Sequence, residues 1–127
     1  MRKTLALLLS CLLLTACARQ AVTPRSGHYH MSVPPETLIV PGLTLDTEAG
    51  TFLLSYDGFS SYLPVGTFEQ EGTELRCRTD DGRYTYLFRV VDETTLAFIA
   101  DGSADMTLID DRSGAPVADG SLFLLAN

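Results

Sequence analysis

The sequence has no tryptophan, a single lysine and only two histidines among its 127 residues. The lysine, Lys3, lies near the N-terminus, and from residue 17 onward the chain carries seven arginines against all 16 carboxylates, a formal net charge of −9. A surface of this sign repels phosphate groups. The composition therefore argues against binding to nucleic acid and against electrostatic attachment to anionic lipid.

The scarcity of histidine and lysine also argues against the common catalytic groupings. His28 and His30 are the only histidines, and both fall in a segment that we predict to be a flexible tether. A Ser-His-Asp or Cys-His grouping therefore cannot form inside the folded body. The chain has no Ser-x-x-Lys motif, no Gly-x-Ser-x-Gly motif and no phosphate-binding glycine loop. We predict that the protein is not an enzyme and uses no cofactor.

The first 16 residues have the layout of a secretory signal peptide. Two basic residues precede an apolar run over residues 5–14, which is shorter than the roughly 20 residues needed to cross a bilayer. Leu14-Thr15-Ala16-Cys17 follows and resembles the lipobox of bacterial lipoproteins. The resemblance implies a diacylglyceryl group on Cys17, cleavage just before it, and anchoring to the cell membrane on the extracytoplasmic side. The alternative is an ordinary cleavage site with an incidental cysteine nearby.

Three cysteines, Cys11, Cys17 and Cys77, leave no pair for a disulfide under this interpretation. Cys11 is lost with the signal peptide and Cys17 is lipidated, so Cys77 is alone in the mature chain. We expect Cys77 to be a buried, inert core thiol.

The chain is predicted to have three parts. Residues 1–16 form the signal peptide, and residues 17–35 carry the lipidated cysteine and a tether with three prolines and no apolar periodicity. Residues 36–127 form a single domain. Within it apolar residues recur at every second position in short runs, a pattern typical of β-strands. The predicted strands are 37–40, 51–56, 59–63, 65–71, 74–79, 84–91, 95–100, 106–109 and 121–125.

Turn residues in the middle of the domain predict the strand register. Asp81-Gly82 favours a two-residue type I′ turn and Gly72-Thr73 a type II′ turn, and a three-residue loop is expected at 92–94. These turns place most charges on one face of a four-stranded meander. The opposite face is apolar and consists of Phe68, Leu75, Cys77, Tyr84, Tyr86, Phe88, Val90, Leu96 and Phe98. We predict an all-β fold of about eight strands, an antiparallel meander that closes into a small lipocalin-like barrel or a sandwich.

Several motifs of the domain resemble a small extracytoplasmic β module. They are YLPVGTFE at 62–69, Leu75, TDDG at 79–82, YxFxV at 86–90, LxF at 96–98 and DGSLF at 119–123. The module is similar to one in hypothetical lipoproteins of Gram-positive gut bacteria and to the C-terminal extensions of beta-lactam-sensor-type membrane metallopeptidases. A looser similarity is to lipocalin-like lipoproteins. The resemblance implies an all-β module without catalytic residues.

Two groups of residues are candidate metal ligands. His28-Tyr29-His30 places two imidazoles two positions apart, but so few ligands favour two solvated histidines. The segment 101–105 has oxygen ligands at alternate positions, which Asp110-Asp111 can supplement. Met106 and Arg112 stand where a calcium loop of the EF-hand type needs Gly and Glu, so hairpin turns are favoured. We predict no metal site.

Other polar and aromatic residues are candidates for ligand, catalytic or sugar-binding sites. Asp80-Asp81-Gly82 is favoured as a turn rather than a ligand set, and Glu69, Glu71 and Glu74 as an ion-paired outer face rather than a glycosidase pair. Tyr56, Tyr62 and Phe59 are the candidates for an aromatic sugar platform, although they suit a core or a rim equally well.

Two functions remain open from the sequence. The first is a lipid-anchored extracytoplasmic binding or sensing module for an unknown protein or small-molecule ligand. The alternative is an inhibitor of a cationic host enzyme such as lysozyme, since a net charge of −9 favours encounter with such a target.

Overall fold

A computed structural model describes residues 21–109, 112 and 114–127 of the chain. In this part of the chain eight antiparallel strands close into a barrel, which confirms the predicted all-β fold and selects the barrel over the sandwich. The strands are β1 (Gly27–Met31), β2 (Gly42–Asp46), β3 (Thr51–Ser55), β4 (Val65–Glu71), β5 (Glu74–Thr79), β6 (Thr85–Asp92), β7 (Thr95–Ile99) and β8 (Leu122–Leu125).

The barrel is a closed meander in which each strand pairs with the next along the chain. The ring closes where β8 pairs with β1, and there Tyr29 lies opposite Leu125 and Met31 opposite Phe123. Closure leaves no unpaired sheet edge between these strands.

The predicted register of the four middle strands is confirmed. Phe68 pairs with Cys77, and Leu75 pairs with Phe88. Gly72 has a φ of +61° and Thr73 does not have a positive φ, as a type II′ turn requires. Phe88 pairs with Phe98 as expected, but the extra residue of that hairpin is a β-bulge between Val90 and Asp92 rather than a third loop residue.

The β5–β6 turn keeps the predicted register with a different geometry. The Thr79 N–H donates to the Tyr84 carbonyl, and the Gly82 N–H donates to the Thr79 carbonyl at 2.9 Å. Gly82 has a φ of +71°, but no described non-glycine residue has a positive φ, so Asp81 cannot belong to a type I′ turn. The hydrogen bond from the Gly82 N–H to the Thr79 carbonyl, without a positive φ at Asp81, is typical of a type I turn within a four-residue loop. The Asp81 carboxylate supports this loop by accepting hydrogen bonds from Thr79 Oγ1 and the Arg83 N–H.

Two strands form outside the predicted positions. Residues 27–31, assigned above to the tether, form β1 and pair with both β2 and β8. The folded domain therefore begins before residue 36, and the segment 22–26 of the predicted tether is also hydrogen-bonded to the barrel or buried against it. This strand was missed because it contributes only two inward apolar side chains, Tyr29 and Met31, between polar ones. β2 at 42–46 likewise replaces the strand predicted at 37–40.

Three predicted strands are absent from the described residues. A turn in which the Thr37 N–H donates to the Pro34 carbonyl ends where the strand 37–40 was expected to begin, and residues 37–40 form only a single bridge, between Ile39 and Gly114. At 59–63 and 106–109 short-range hydrogen bonds to side chains take the place of strand pairing. Ser60 Oγ accepts from the Tyr62 N–H, and Thr107 Oγ1 donates to Asp105. The last predicted strand, 121–125, is confirmed as β8.

The barrel interior is filled with apolar side chains. Each member of the predicted apolar face is buried or half-buried, with Phe68 and Tyr84 the least enclosed. β1, β2, β3 and β8 complete the core with Tyr29, Met31, Leu43, Leu45, Phe52, Leu54 and Phe123.

The two ends of the barrel differ in their connections. At one end, which we name the short-turn end, lie the connections 47–50, 72–73 and 93–94, together with the entering segment 21–26. At the opposite end, the long-loop end, lie the connections 32–41, 56–64, 80–84 and 100–121. Any site built from loops therefore belongs to the long-loop end.

Candidate binding site

The connection between β3 and β4 is shaped by short-range hydrogen bonds to side chains. The Asp57 carboxylate accepts from the Phe59 N–H at 2.9 Å and, through its other oxygen, from the Ile109 N–H at 2.8 Å. Asp57 thereby ties this connection to the one between β7 and β8. The loop returns to the barrel where the Leu54 N–H donates to the Pro64 carbonyl. This conformation presents Tyr56 and Tyr62 at the long-loop end.

A pocket of about 220 Å³ lies beside this loop and is lined mainly by tyrosine. Four of the five tyrosines in the chain contribute to it, and the remaining lining residues are Ser60, Arg83 and Asp105. Tyr56 and Tyr62 come from the β3–β4 connection, whereas Tyr84 lies directly before β6 and Tyr86 is its second residue. We name this site the tyrosine pocket.

The rings of the tyrosine pocket contact one another and a cation. The Tyr62 and Tyr84 ring centroids are 5.4 Å apart in an edge-to-face arrangement, and those of Tyr84 and Tyr86 are 6.5 Å apart. The Arg83 guanidinium carbon lies 5.2 Å from the Tyr84 centroid and 5.8 Å from the Tyr62 centroid. Both distances are within the range of cation–π interaction.

Asp81 holds one wall of the pocket in place. Its carboxylate accepts hydrogen bonds from Thr79 Oγ1 at 2.7 Å, from the Arg83 N–H at 3.0 Å and from the Tyr62 hydroxyl at 2.8 Å. These donors, with Thr79 the largest contributor, lower the pKa of Asp81. The carboxylate is therefore ionised at neutral pH, and it joins the β5–β6 turn to the β3–β4 loop.

The inner part of the pocket is uncharged. Burial is the main cause that raises the pKa of both Tyr56 and Tyr86. Both phenols are therefore neutral at physiological pH. The tyrosine pocket therefore combines aromatic faces, hydroxyl groups, one guanidinium and carboxylates, which are the kinds of group that bind ligands.

Cys77 is fully buried in the barrel as predicted, and burial raises the pKa of its thiol.

The two histidines lie away from this pocket, on the outer wall of β1. Their ring centroids are 4.3 Å apart, and His28 Nδ1 lies 2.7 Å from Thr44 Oγ1 on β2. Desolvation and, to a smaller extent, the neighbouring His30 lower the pKa of His28. No cluster of three or more potential ligands among His, Cys, Asp and Glu occurs in the described part of the chain.

The other acidic candidates take up turn or surface positions. Asp105 Oδ1 accepts a hydrogen bond from Thr107, and Asp119 caps the Ala100 N–H at 2.9 Å. Glu74 forms an exposed ion pair with Arg76 at 3.2 Å, and Glu69 lies opposite Arg76 in the ladder, as expected of an outer face. Asp110 and Asp111 lie outside the described residues.

The sequence identified only part of the tyrosine pocket. Tyr56 and Tyr62 were candidates for an aromatic platform, whereas Phe59 does not line the pocket and is exposed. The sequence pattern places Tyr84 and Tyr86 only on the apolar face, and it gives no indication that Arg83 belongs to a site. The available signal was two tyrosines two positions apart directly after a turn, which places both at the mouth of the barrel.

The lipidation site Cys17 and the whole signal segment 1–16 lie outside the described residues. Within the described ranges no helix has the length and apolar character needed to span a bilayer. Comparisons of the chain with protein-family models, with curated proteins and with solved structures found no match.

Proposed function

We propose that this protein is a lipid-anchored extracytoplasmic binding or sensing module and that the tyrosine pocket is its ligand site. The observation that supports this proposal is the convergence of four tyrosines and Arg83 on one pocket at the long-loop end. Ligand sites combine aromatic faces with a few oriented polar groups, and they lie on loops held by a rigid scaffold.

The position of the pocket suits a membrane anchor on Cys17. That residue precedes Ala21 by four positions, and the segment that follows lies against the short-turn end. There the Val22 carbonyl accepts a hydrogen bond from Gln70, and the Arg25 N–H donates to the Glu93 carbonyl. A lipid attached at Cys17 would place the short-turn end toward the membrane and the tyrosine pocket away from it.

Anchoring is tested with Cys17→Ser in a bacterium that processes lipoproteins. Leu14-Thr15-Ala16 precedes only this cysteine, so the variant is expected to lose the acyl mass and leave the membrane fraction. Cys11→Ser is the matched control and should remain lipidated. A Cys17→Ser protein that still carries the acyl mass would contradict the proposed anchor.

Ligand binding can be followed through the protein's own fluorescence. Tyrosine is the emitter because the chain has no tryptophan, and four of the five tyrosines line the pocket. A ligand in the pocket should therefore change the emission of the wild type, and Tyr62→Ala should weaken its binding. A ligand whose affinity is the same in Tyr62→Ala and the wild type would contradict the pocket as the site.

A second candidate function is the inhibition of a cationic host enzyme such as lysozyme. It is favoured by the net charge of −9 and by the carboxylates Asp81 and Asp105 at the long-loop end of the barrel. An assay of lysozyme activity with the purified protein tests it. Inhibition that is lost in Asp81→Asn or Asp105→Asn would support this function, whereas full lysozyme activity at saturating protein would eliminate it for that enzyme.

A further inference from the structure

We propose that the tyrosine pocket recognises a cationic group of its ligand, a guanidinium or an alkylammonium, which displaces the Arg83 side chain from the Tyr62 and Tyr84 rings. The inference rests on the proposed function, because it names the chemistry of the ligand for that same pocket.

The two rings already hold a cation. The Arg83 guanidinium lies over both ring faces, and its Nη2 donates to the Tyr84 hydroxyl at 3.3 Å. Among the described residues no carboxylate lies within ion-pair distance of Arg83, whereas Arg25 and Arg76 each pair with a glutamate. The rings and one hydroxyl therefore hold Arg83.

This hold on Arg83 is weak. The side chain is exposed to solvent, and a cation–π contact at an exposed site changes an equilibrium only a few-fold. A cation of the ligand that enters the pocket with better contacts can therefore take the place of the guanidinium. The displaced arginine remains free to extend into solvent.

The charges around the pocket favour a cation over an anion. Asp105 lines the pocket and lies close enough to Tyr56 to raise the pKa of that phenol, and Asp81 is held as an anion by three hydrogen bonds. The mature chain has a net charge of −9. An anionic ligand would approach against this field, whereas a cation would meet two carboxylates and several ring faces.

The size of the pocket limits what enters it. A volume of about 220 Å³ is below the roughly 300 Å³ at which pockets for whole drug-sized ligands begin. The pocket therefore suits a single side-chain head group or a small amine. The rest of a larger ligand would lie outside it.

The test uses a matched pair of small probes. N-acetylarginine amide carries a guanidinium, and N-acetylcitrulline amide has nearly the same shape without the charge. Each is titrated into the wild-type protein, and tyrosine emission is recorded at low and at physiological salt. We expect the arginine probe to bind more tightly than the citrulline probe, and we expect added salt to weaken its binding.

Variants then separate displacement of Arg83 from its participation in binding. Arg83→Gln should bind the arginine probe about two- to five-fold more tightly, because the internal competitor for the two rings is gone. Arg89→Gln, on the outer wall of β6, makes the same change in net charge and should leave the affinity nearly unchanged. Tyr62→Ala should abolish binding of the arginine probe.

The outcomes distinguish this inference from the proposed function. If Arg83→Gln weakens binding of both probes and the citrulline probe binds equally well, the cation inference is overturned and the pocket remains the binding site. If neither the wild type nor Arg83→Gln binds the arginine probe, the inference is likewise overturned. If either probe binds Tyr62→Ala as well as the wild type, the pocket itself and the proposed function are overturned.

Discussion

The short-turn end and the long-loop end of the barrel are held together by different kinds of contact. At the short-turn end backbone groups meet directly, and the buried Tyr29 hydroxyl joins two of them by donating to the Arg25 carbonyl at 2.6 Å and to the Glu93 carbonyl at 3.2 Å. Pro24 is buried there as well. This end is closed by the entering chain.

At the long-loop end the connections are joined through side chains. Asp57 links the β3–β4 connection to Ile109, and Asp81 links the β5–β6 turn to Tyr62. Asp81 is exposed and Asp57 is half-buried, and both carboxylates position the groups that donate hydrogen bonds to them. The short-turn end therefore fixes the entering chain to the barrel, whereas the long-loop end carries the tyrosine pocket.

The largest expected effect comes from removing the segment that closes the short-turn end. A chain that begins at Glu36 lacks β1 with its buried Tyr29 and Met31, and leaves β2 and β8 each without one of its two partner strands. Since a domain of this size has about 5–15 kcal/mol of stability in total, we expect loss of the cooperative thermal transition. A chain that begins at Ala21 is the control. A cooperative melt for the shorter chain, recorded by circular dichroism, would show that β1 is dispensable.

The second-largest loss of stability is expected from a substitution in the core between the two ends. Phe88 is fully buried, and its ring lies 5.6 Å from that of Phe98 and 5.3 Å from that of Phe123. Phe88→Ala should cost about 3–5 kcal/mol in the free energy of unfolding. Arg78→Ala, on the outer face of β5, should cost less than about 0.5 kcal/mol. Denaturant titration of both variants measures the difference, and equal costs would mean that the inward face is misassigned.

A pair of hydroxyl deletions compares the two ends directly. Tyr29→Phe removes the donor shared by the Arg25 and Glu93 carbonyls and should cost about 0.5–1.5 kcal/mol, the usual range for one lost hydrogen bond. Tyr62→Phe removes a donor to the exposed Asp81 and should leave the midpoint of denaturation nearly unchanged.

The Tyr62→Phe variant has a second readout at the long-loop end. Loss of one hydrogen bond to the carboxylate should raise the pKa of Asp81 toward its ordinary value, which NMR titration of that side chain measures. An unchanged pKa of Asp81 together with a large loss of stability would reverse the roles assigned to the two ends.

The smallest effect is expected on the wall between the ends, at His28. Desolvation and the neighbouring His30 lower its pKa from the ordinary 6.5. Below pH 6.5 the unfolded chain therefore binds a proton before the folded one does, so the free energy of unfolding should decline as the pH falls through this range. His28→Gln should flatten this dependence, and His30→Gln, which removes only the smaller cause, should retain most of it. A pH series of thermal melts tests both variants.

Some of this architecture follows from local sequence alone. The hairpins from β4 to β7 have short connections with glycine at the positions that require it, and their strands alternate apolar and charged residues. Register, the inward face and the burial of Cys77 were all predictable there, because each depends on residues close together in the chain. Even the incorrect type I′ turn at Asp81-Gly82 preserved the register, since two- and four-residue loops centred on the same bond pair the same residues.

Only the tertiary structure decided how the barrel closes and where its pocket lies. β1 shows almost no strand pattern of its own, and it forms because Tyr29 and Met31 meet β8 across nearly the whole length of the domain. Tyr62 and Tyr84 come together because β4, β5 and β6 lie side by side, which brings the connections before β4 and before β6 to the same end of the barrel. Contacts between separate connections leave no local periodicity. Local sequence therefore specified the strands and hairpins of the middle, whereas the pairing of β1 with β8 set where the domain begins and the packing of the loops formed its candidate site.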